Sequence, residues 1–206
     1  MDQQDVIQSA EQYVRQELGS DSSGHDWWHI DRVRRLALEL AEREQANAFI
    51  CELAALLHDI ADVKLNESKQ AGLDKVHLWL TAHVTERDIL DEVMEIIGTM
   101  SYNGGGNPPM GTLEGRVVQD ADRLDAIGAI GIARTFAYGG SRGRMMYDPE
   151  SSSGNATIDH FYDKLLRLKD LMNTAYGKEL AQSRHEFMEA FLIQFYLEWD
   201  FGGCEE

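Results

Sequence analysis

An all-α fold is what these 206 residues predict, and three observations carry the prediction. Apolar side chains recur at three- and four-residue intervals along most of the chain. No stretch alternates apolar and polar residues as a half-buried strand would, and no internal repeat is present. Breaks rich in Gly, Pro, Ser and Asn separate the periodic segments. At this length one hydrophobic core can close, so a single domain is expected over residues 1–206.

In chain order, residues 4–18 carry Ile7, Ala10, Val14 and Leu18 at helical spacing, with Gly19 where a helix would stop. A polar, turn-prone loop then delivers Gly24-His25-Asp26-Trp27-Trp28-His29, in which Asp26 is placed to cap the next helix. There His29, Val33, Leu36 and Leu40 share a face, so His29 points inward. Arg32, Arg34 and Arg35 read as a solvated face from which one guanidinium could reach a phosphate. Asn47 caps an apolar helix that runs through Cys51 to Leu57 and ends in His58-Asp59.

Asn66-Glu67-Ser68 marks a loop, and Val76, Leu80 and His83 a further helix. His77 and His83, six apart, read as surface or supporting residues. Thr85-Glu86-Arg87-Asp88 resembles a capping box that opens a helix through Ile89, Val93 and Ile97. Three glycines and two prolines make residues 101–109 a loop. The helix over 115–128 carries three acids, of which Asp122 lies on the face of Val118 and Ala126 and Asp125 could support it. Gly128 and Gly131 read as sites of close packing. A long polar loop is expected over 137–156, then a helix capped by Thr157 and a last one over about 178–199.

Composition excludes several function classes. Apolar residues make up 43% and charged ones 27%, ordinary for a globular protein. No apolar run approaches the roughly 20 residues needed to span a bilayer, and the acidic start Met1-Asp2-Gln3-Gln4-Asp5 lacks the basic flank of a signal peptide. No membrane association and a cytoplasmic location are therefore expected. Cys51 and Cys204 form no disulfide framework or CxxC zinc site, so a metal would have to use His and carboxylates. The formal net charge of −17 argues against a partner as large and anionic as a nucleic-acid polymer. A small phosphate compound remains accessible if local cations reverse the field.

Assembled, the inward polar residues are His29, His58, Asp59 and Asp122. Taken alone, a His-Asp pair at a helix end is as readily a cap as a ligand, and a lone inward His is more often bonded to a backbone carbonyl. Together the four suit one divalent ion, with Mn²⁺ favoured and Mg²⁺, Ni²⁺, Co²⁺, Fe²⁺ or Zn²⁺ admissible. Open coordination positions would then accept a water and a substrate oxygen. Lys64 and Arg123 each sit within a turn of a proposed ligand and are candidates for holding phosphates, and His25 for supporting the site or contacting substrate. Asp62, three residues beyond Asp59, could accept a proton from the attacking water; the alternative is a helix-end acid paired with Lys64.

A lone His, then His-Asp, then a distant Asp on separate helices resembles the HD-domain superfamily of metal-dependent phosphohydrolases. Gly24-His25-Asp26-x-x-His29, Leu57-His58-Asp59-Ile60-x-Asp62-x-Lys64, Met100-Ser101-Tyr102-x-Gly104-Gly105-Gly106-Asn107 and Gln119-Asp120-Ala121-Asp122-Arg123-Leu124-Asp125-Ala126-Ile127-Gly128 together are similar to its small single-domain nucleotide pyrophosphohydrolases. The resemblance implies a single HD-type helical bundle over 1–206, with a metal-site core at about 24–128 and C-terminal helices at about 157–200. It implies one metal ion on His29, His58, Asp59 and Asp122, and a water-activating acid at Asp62, where many relatives have Glu. It implies a phosphorylated small-molecule substrate, a nucleotide first, cut to a monophosphate and pyrophosphate; phosphomonoesters, an alarmone or a non-catalytic regulatory role stay open, as does a homodimer.

Overall fold

The computed structural model describes residues 2–18, 26–63, 65–101, 110–150 and 154–200. Among these residues there are nine α-helices and no strand, as the periodicity predicts. His25, Lys64, Cys204 and most of the Gly-Pro segment (102–109) lie outside the described residues. Contacts along the chain define two compact units, Met1–Asp122 and Arg123–Glu206.

The first unit is built on α3 (Ala48–Leu57), in which every side chain from Leu53 to Leu57 is buried. Asn47 starts this helix by accepting from the N–H groups of Phe49 and Ile50. Full burial of a leucine is worth about 1.5–3 kcal/mol, so Leu53, Leu56 and Leu57 make α3 the principal core element. Against it pack α1 (Gln3–Leu18), α2 (Trp27–Glu44) and α5 (Arg87–Thr99). The buried stripe of α1 is Val6, Ile7, Ala10, Val14 and Leu18. On α2 the buried seam runs His29, Val33, Ala37 and Leu40, with Leu36 only half-buried.

Arg34 ties these three helices together. Its guanidinium meets Glu11 on α1 at 2.9 Å and Glu52 on α3 at 2.6 Å. It is thereby committed to the scaffold rather than to a solvated, phosphate-reaching face. Burial opposes ionisation of Glu11, but hydrogen bonds from Arg15 and Arg34 outweigh it and hold the carboxyl below its usual range.

Beyond α3 the chain enters a 3-10 turn, His58–Ala61, on which α4 (Lys69–His83) packs. Helix α5 begins at Arg87 without the expected capping box. Its N-cap is Glu86, whose side chain caps nothing, because the Thr85 hydroxyl donates to the Glu86 carboxylate instead. Helix α6 (Leu113–Asp125) brings Asp122 to the end of the first unit and stops before Ala126.

The second unit holds α7 (Gly128–Ser141), the short α8 (Asp159–Asp163), a 3-10 turn at Leu165–Leu171 and α9 (Ala175–Trp199). Phe136, Phe191 and Phe195, half-buried, cluster with the buried Phe161, with ring centroids 5.9–6.3 Å apart. The corner between α6 and α7 is fixed by Arg134 pairing with Asp125 and by Arg184 donating to the Leu124 carbonyl. Asp125 thus braces this corner. Gly128 opens α7 at φ +75°, a conformation a side chain would strain.

Three more boundaries differ from expectation. Residues Ala137–Ser141 continue α7 instead of starting the loop. Thr157 caps no helix; its N–H donates to the Met145 carbonyl, and α8 starts two residues on. The last helix starts at Ala175 because the Thr174 hydroxyl accepts from the Gly177 N–H.

Candidate metal centre

His29, His58 and Asp59 offer ligand atoms that all lie within 4.8 Å of one another. His29 arrives in the first turn of α2, where Asp26 Oδ1 accepts from its N–H at 2.9 Å and sets where the helix begins. His58 and Asp59 arrive at the end of α3, on the 3-10 turn rather than on the helix itself. Asp122 joins from α6, its Oδ1 3.5 Å from His29 Nε2 and 3.9 Å from His58 Nε2. Exposure divides the set: the side chains of His29 and Asp59 are 3% and 9% exposed, whereas that of Asp122 is 37% exposed.

The proton positions follow from the bonding. His58 Nδ1 lies 2.8 Å from the Ala55 carbonyl oxygen, which can only accept, so Nδ1 carries the hydrogen. The ring's Nε2 is thereby turned toward the carboxylates, with Asp59 Oδ1 facing it at 3.2 Å. His29 Nε2 likewise stands 3.5 Å from both Asp59 Oδ2 and Asp122 Oδ1. Two carboxylates brought this close to each other and to the imidazoles repel unless positive charge lies among them. Two imidazole nitrogens and two carboxylates are a donor set that a divalent first-row ion fits, and the bond from His58 to Ala55 is the outer-shell contact that orients such a ligand.

The other expected residues are placed as follows. Asp62 follows the 3-10 turn in extended conformation, its N–H bonded to the Asp59 carbonyl at 3.0 Å. It is half-buried and one 3-10 turn, not one α-turn, beyond Asp59. Arg123 donates to the Leu171 carbonyl. His25 and Lys64 lie outside the described residues. His77 is exposed, and His83 stacks on Trp79 with ring centroids 4.1 Å apart, so both are away from the metal-type cluster. Sequence reasoning passed over Asn66, taking it as a loop marker. Its Nδ2 donates to the carbonyls of Ile60 and Asp62, and the available signal was an Asn placed where its amide can bond nearby backbone.

Known proteins resemble this chain over the segment that carries the cluster. Residues 27–127, which include all four cluster residues, match the HD domain. Over 205 residues the chain is 44% identical to YpgQ of Bacillus subtilis, covering 97% of each protein. The crystal structure of Bacillus subtilis YpgQ in complex with ADP superposes over the whole of both chains with a TM-score of 0.83 at 41% identity. The crystal structure of an HD-superfamily hydrolase from Bacillus thuringiensis is 49% identical, with 96% of this chain and 98% of that one covered and a TM-score of 0.81. With the matched segment enclosing the convergent His and Asp donors, the chain belongs to the HD-domain superfamily of metal-dependent phosphohydrolases.

Proposed function

We propose that this protein hydrolyses nucleoside or deoxynucleoside triphosphates between the α and β phosphates, releasing a monophosphate and pyrophosphate. The observation that carries the reading is the convergence of His29, His58, Asp59 and Asp122 with Asp62 one turn beyond. ADP bound to YpgQ, a relative of matching length, supports a nucleotide as the ligand. The scissile bond is taken from the family resemblance.

In this reading the four residues hold one divalent ion, manganese by preference. When bound, the ion supplies Lewis acidity, lowering the pKa of a water and drawing charge off phosphoryl oxygens. Asp62 takes the proton as the water oxygen bonds to the α phosphorus. The bridging P–O bond breaks, and pyrophosphate leaves with its electron pair. Lys64 and Arg123 hold the departing phosphates, with His25 at the substrate.

The test is release of pyrophosphate and orthophosphate from a nucleotide panel by metal-stripped protein resupplied with Mn²⁺, Mg²⁺, Ni²⁺ or Co²⁺, with Asp59→Ala as control. Pyrophosphate from triphosphates, lost in the variant, is expected. Orthophosphate from monophosphates would replace this reading with a nucleotidase. Metal binding without turnover of any nucleotide would replace it with a regulatory module.

A further inference from the structure

We propose that Asn66 is a positioning residue that acts through Asp62: its carboxamide clamps the carbonyls of Ile60 and Asp62 and fixes Asp62 against the His58–Asp59 pair. The inference rests on the reading of Asp62 as the proton acceptor.

The geometry is that of a staple across the end of the 3-10 turn. Both bonds of Asn66 Nδ2 are short, 2.8 Å to Ile60 and 2.9 Å to Asp62. Two carbonyls can be served only by the amide nitrogen, which fixes the orientation of the carboxamide. The Asp62 carbonyl also accepts from the Leu65 N–H at 3.1 Å, so the loop closes back onto Asp62 from two sides.

Gly72, in the first turn of α4, supplies the floor. A Cβ there would lie 2.7 Å from Ala61 Cα and 2.8 Å from both the Ala61 oxygen and Asn66 Nδ2. Only a glycine lets α4 press on the turn while leaving the amide its seat. Ser68, whose hydroxyl accepts from the Ala71 N–H, sets where α4 begins and hence where Gly72 falls.

The clamp matters because the turn is a competitor of the helix before it. In a 3-10 turn residues i and i+3 eclipse, so Asp62 follows Asp59 on one side. Had α3 continued as an α-helix, three residues would advance only about 300°, swinging position 62 by about 60° relative to Asp59. Bonds from Asn66 to residues 60 and 62 hold the tighter, terminated form, and so set the bearing of the proton acceptor without touching substrate.

The test uses the full chain and a double-mutant cycle. Asn66→Asp is nearly isosteric but sets a carboxylate against two carbonyls; Gly72→Ala evicts the amide from the other side. Pyrophosphate release from ATP with Mn²⁺ is measured for the wild type, both variants, Asp62→Asn, and Asn66→Asp combined with Asp62→Asn. The expected result is a kcat at least about 10-fold lower in Asn66→Asp and Gly72→Ala, with KM and the calorimetric Mn²⁺ Kd within about threefold. Combined with Asp62→Asn, the Asn66 substitution should add no further loss. Multiplicative losses in the double variant, or a kcat that falls only in step with Mn²⁺ affinity, would overturn the proposal.

Amide hydrogen exchange over residues 58–66 is a second readout that needs neither metal nor nucleotide. Exchange about 10-fold or more faster there in Asn66→Asp, with α1 and α2 unchanged, is expected; unchanged exchange overturns the clamp. Should the wild type release no pyrophosphate from any triphosphate, the functional reading fails while this exchange result still decides whether the clamp exists.

Discussion

Divalent metal should stabilise the fold through the donor cluster, and the size of the effect can be worked out. An ion that binds the native state alone contributes RT ln(1 + [M]/Kd), about 2.7 kcal/mol when Mn²⁺ is present at about 100 times Kd. For a chain of this size 1 kcal/mol moves Tm by about 2–4 °C, so the metal-stripped protein should gain about 5–11 °C on adding Mn²⁺. Asp59 faces both imidazoles, through Oδ2 to His29 and Oδ1 to His58, so Asp59→Ala removes the carboxylate common to both. Loss of a supporting contact alone weakens such sites by about 10–100-fold, and loss of a ligand should reach at least the upper figure. At the same Mn²⁺ concentration about 0.4 kcal/mol then remains, a shift of about 1–2 °C. Differential scanning calorimetry of both proteins with and without Mn²⁺ measures this, with His77→Ala as an exposed-histidine control that should keep the full shift. Equal shifts in the wild type and Asp59→Ala, or none in the wild type at millimolar Mn²⁺, would refute the assignment of the ion to this cluster.

Four further outcomes are expected. Asp62→Asn should keep the full Mn²⁺-induced Tm shift yet lower kcat by about 10²–10⁴-fold, as removal of a general base does; steady-state kinetics beside calorimetry separates the two. Glu11 is ionised more readily in the fold than its ordinary pKa of 4.5 would allow, so the stability it contributes is complete above that pH and is lost as the pH falls through its lower folded value. Arg34→Met should therefore flatten the acid limb of a Tm-versus-pH curve. Burial, reinforced by Glu114 and Glu92, pushes the Cys51 thiol up to about 12, so native protein should resist thiol reagents at that residue until denaturant is added, as peptide mapping after alkylation would show. Gly128→Ala imposes a side chain at φ +75° and 3.1 Å from Arg184 Cβ, and should destabilise by about 1–2 kcal/mol in urea titration.

Much of the site was legible because its polar residues interrupt apolar patterns. His29 stands on the buried seam of α2, and His58-Asp59 ends the most apolar helix; in each case Asp26 or Asn47 announces the start. Periodicity could not show that the chain changes from α to 3-10 after Leu57, since a four-residue stretch is too short to tell a period of 3.6 from one of 3.0. Residues 137–141 read as the start of a polar loop, but α7 runs through them, and Gly139 leaves room there for Thr157, a contact remote in sequence. Thr85 and Thr157 both looked like caps, and each hydroxyl or amide found a different partner. The bonds of Arg123 to the Leu171 carbonyl and of Asp125 to Arg134 join residues remote in sequence, which no local pattern could have chosen.

The bond from His58 to the Ala55 carbonyl makes α3 a ruler. Between its Asn47 cap and the turn lie ten residues, about 15 Å of helix, anchored at one end by the cap and graduated by its buried leucines. Adding or deleting one residue within that span would rotate the His-Asp pair by about 100° relative to α2 and remove it from His29, even if every apolar side chain found a new seat. Length variation among descendants of this sequence should therefore be barred between residues 47 and 58. It should gather instead near residues 143–150, where the chain is largely exposed and forms no helix.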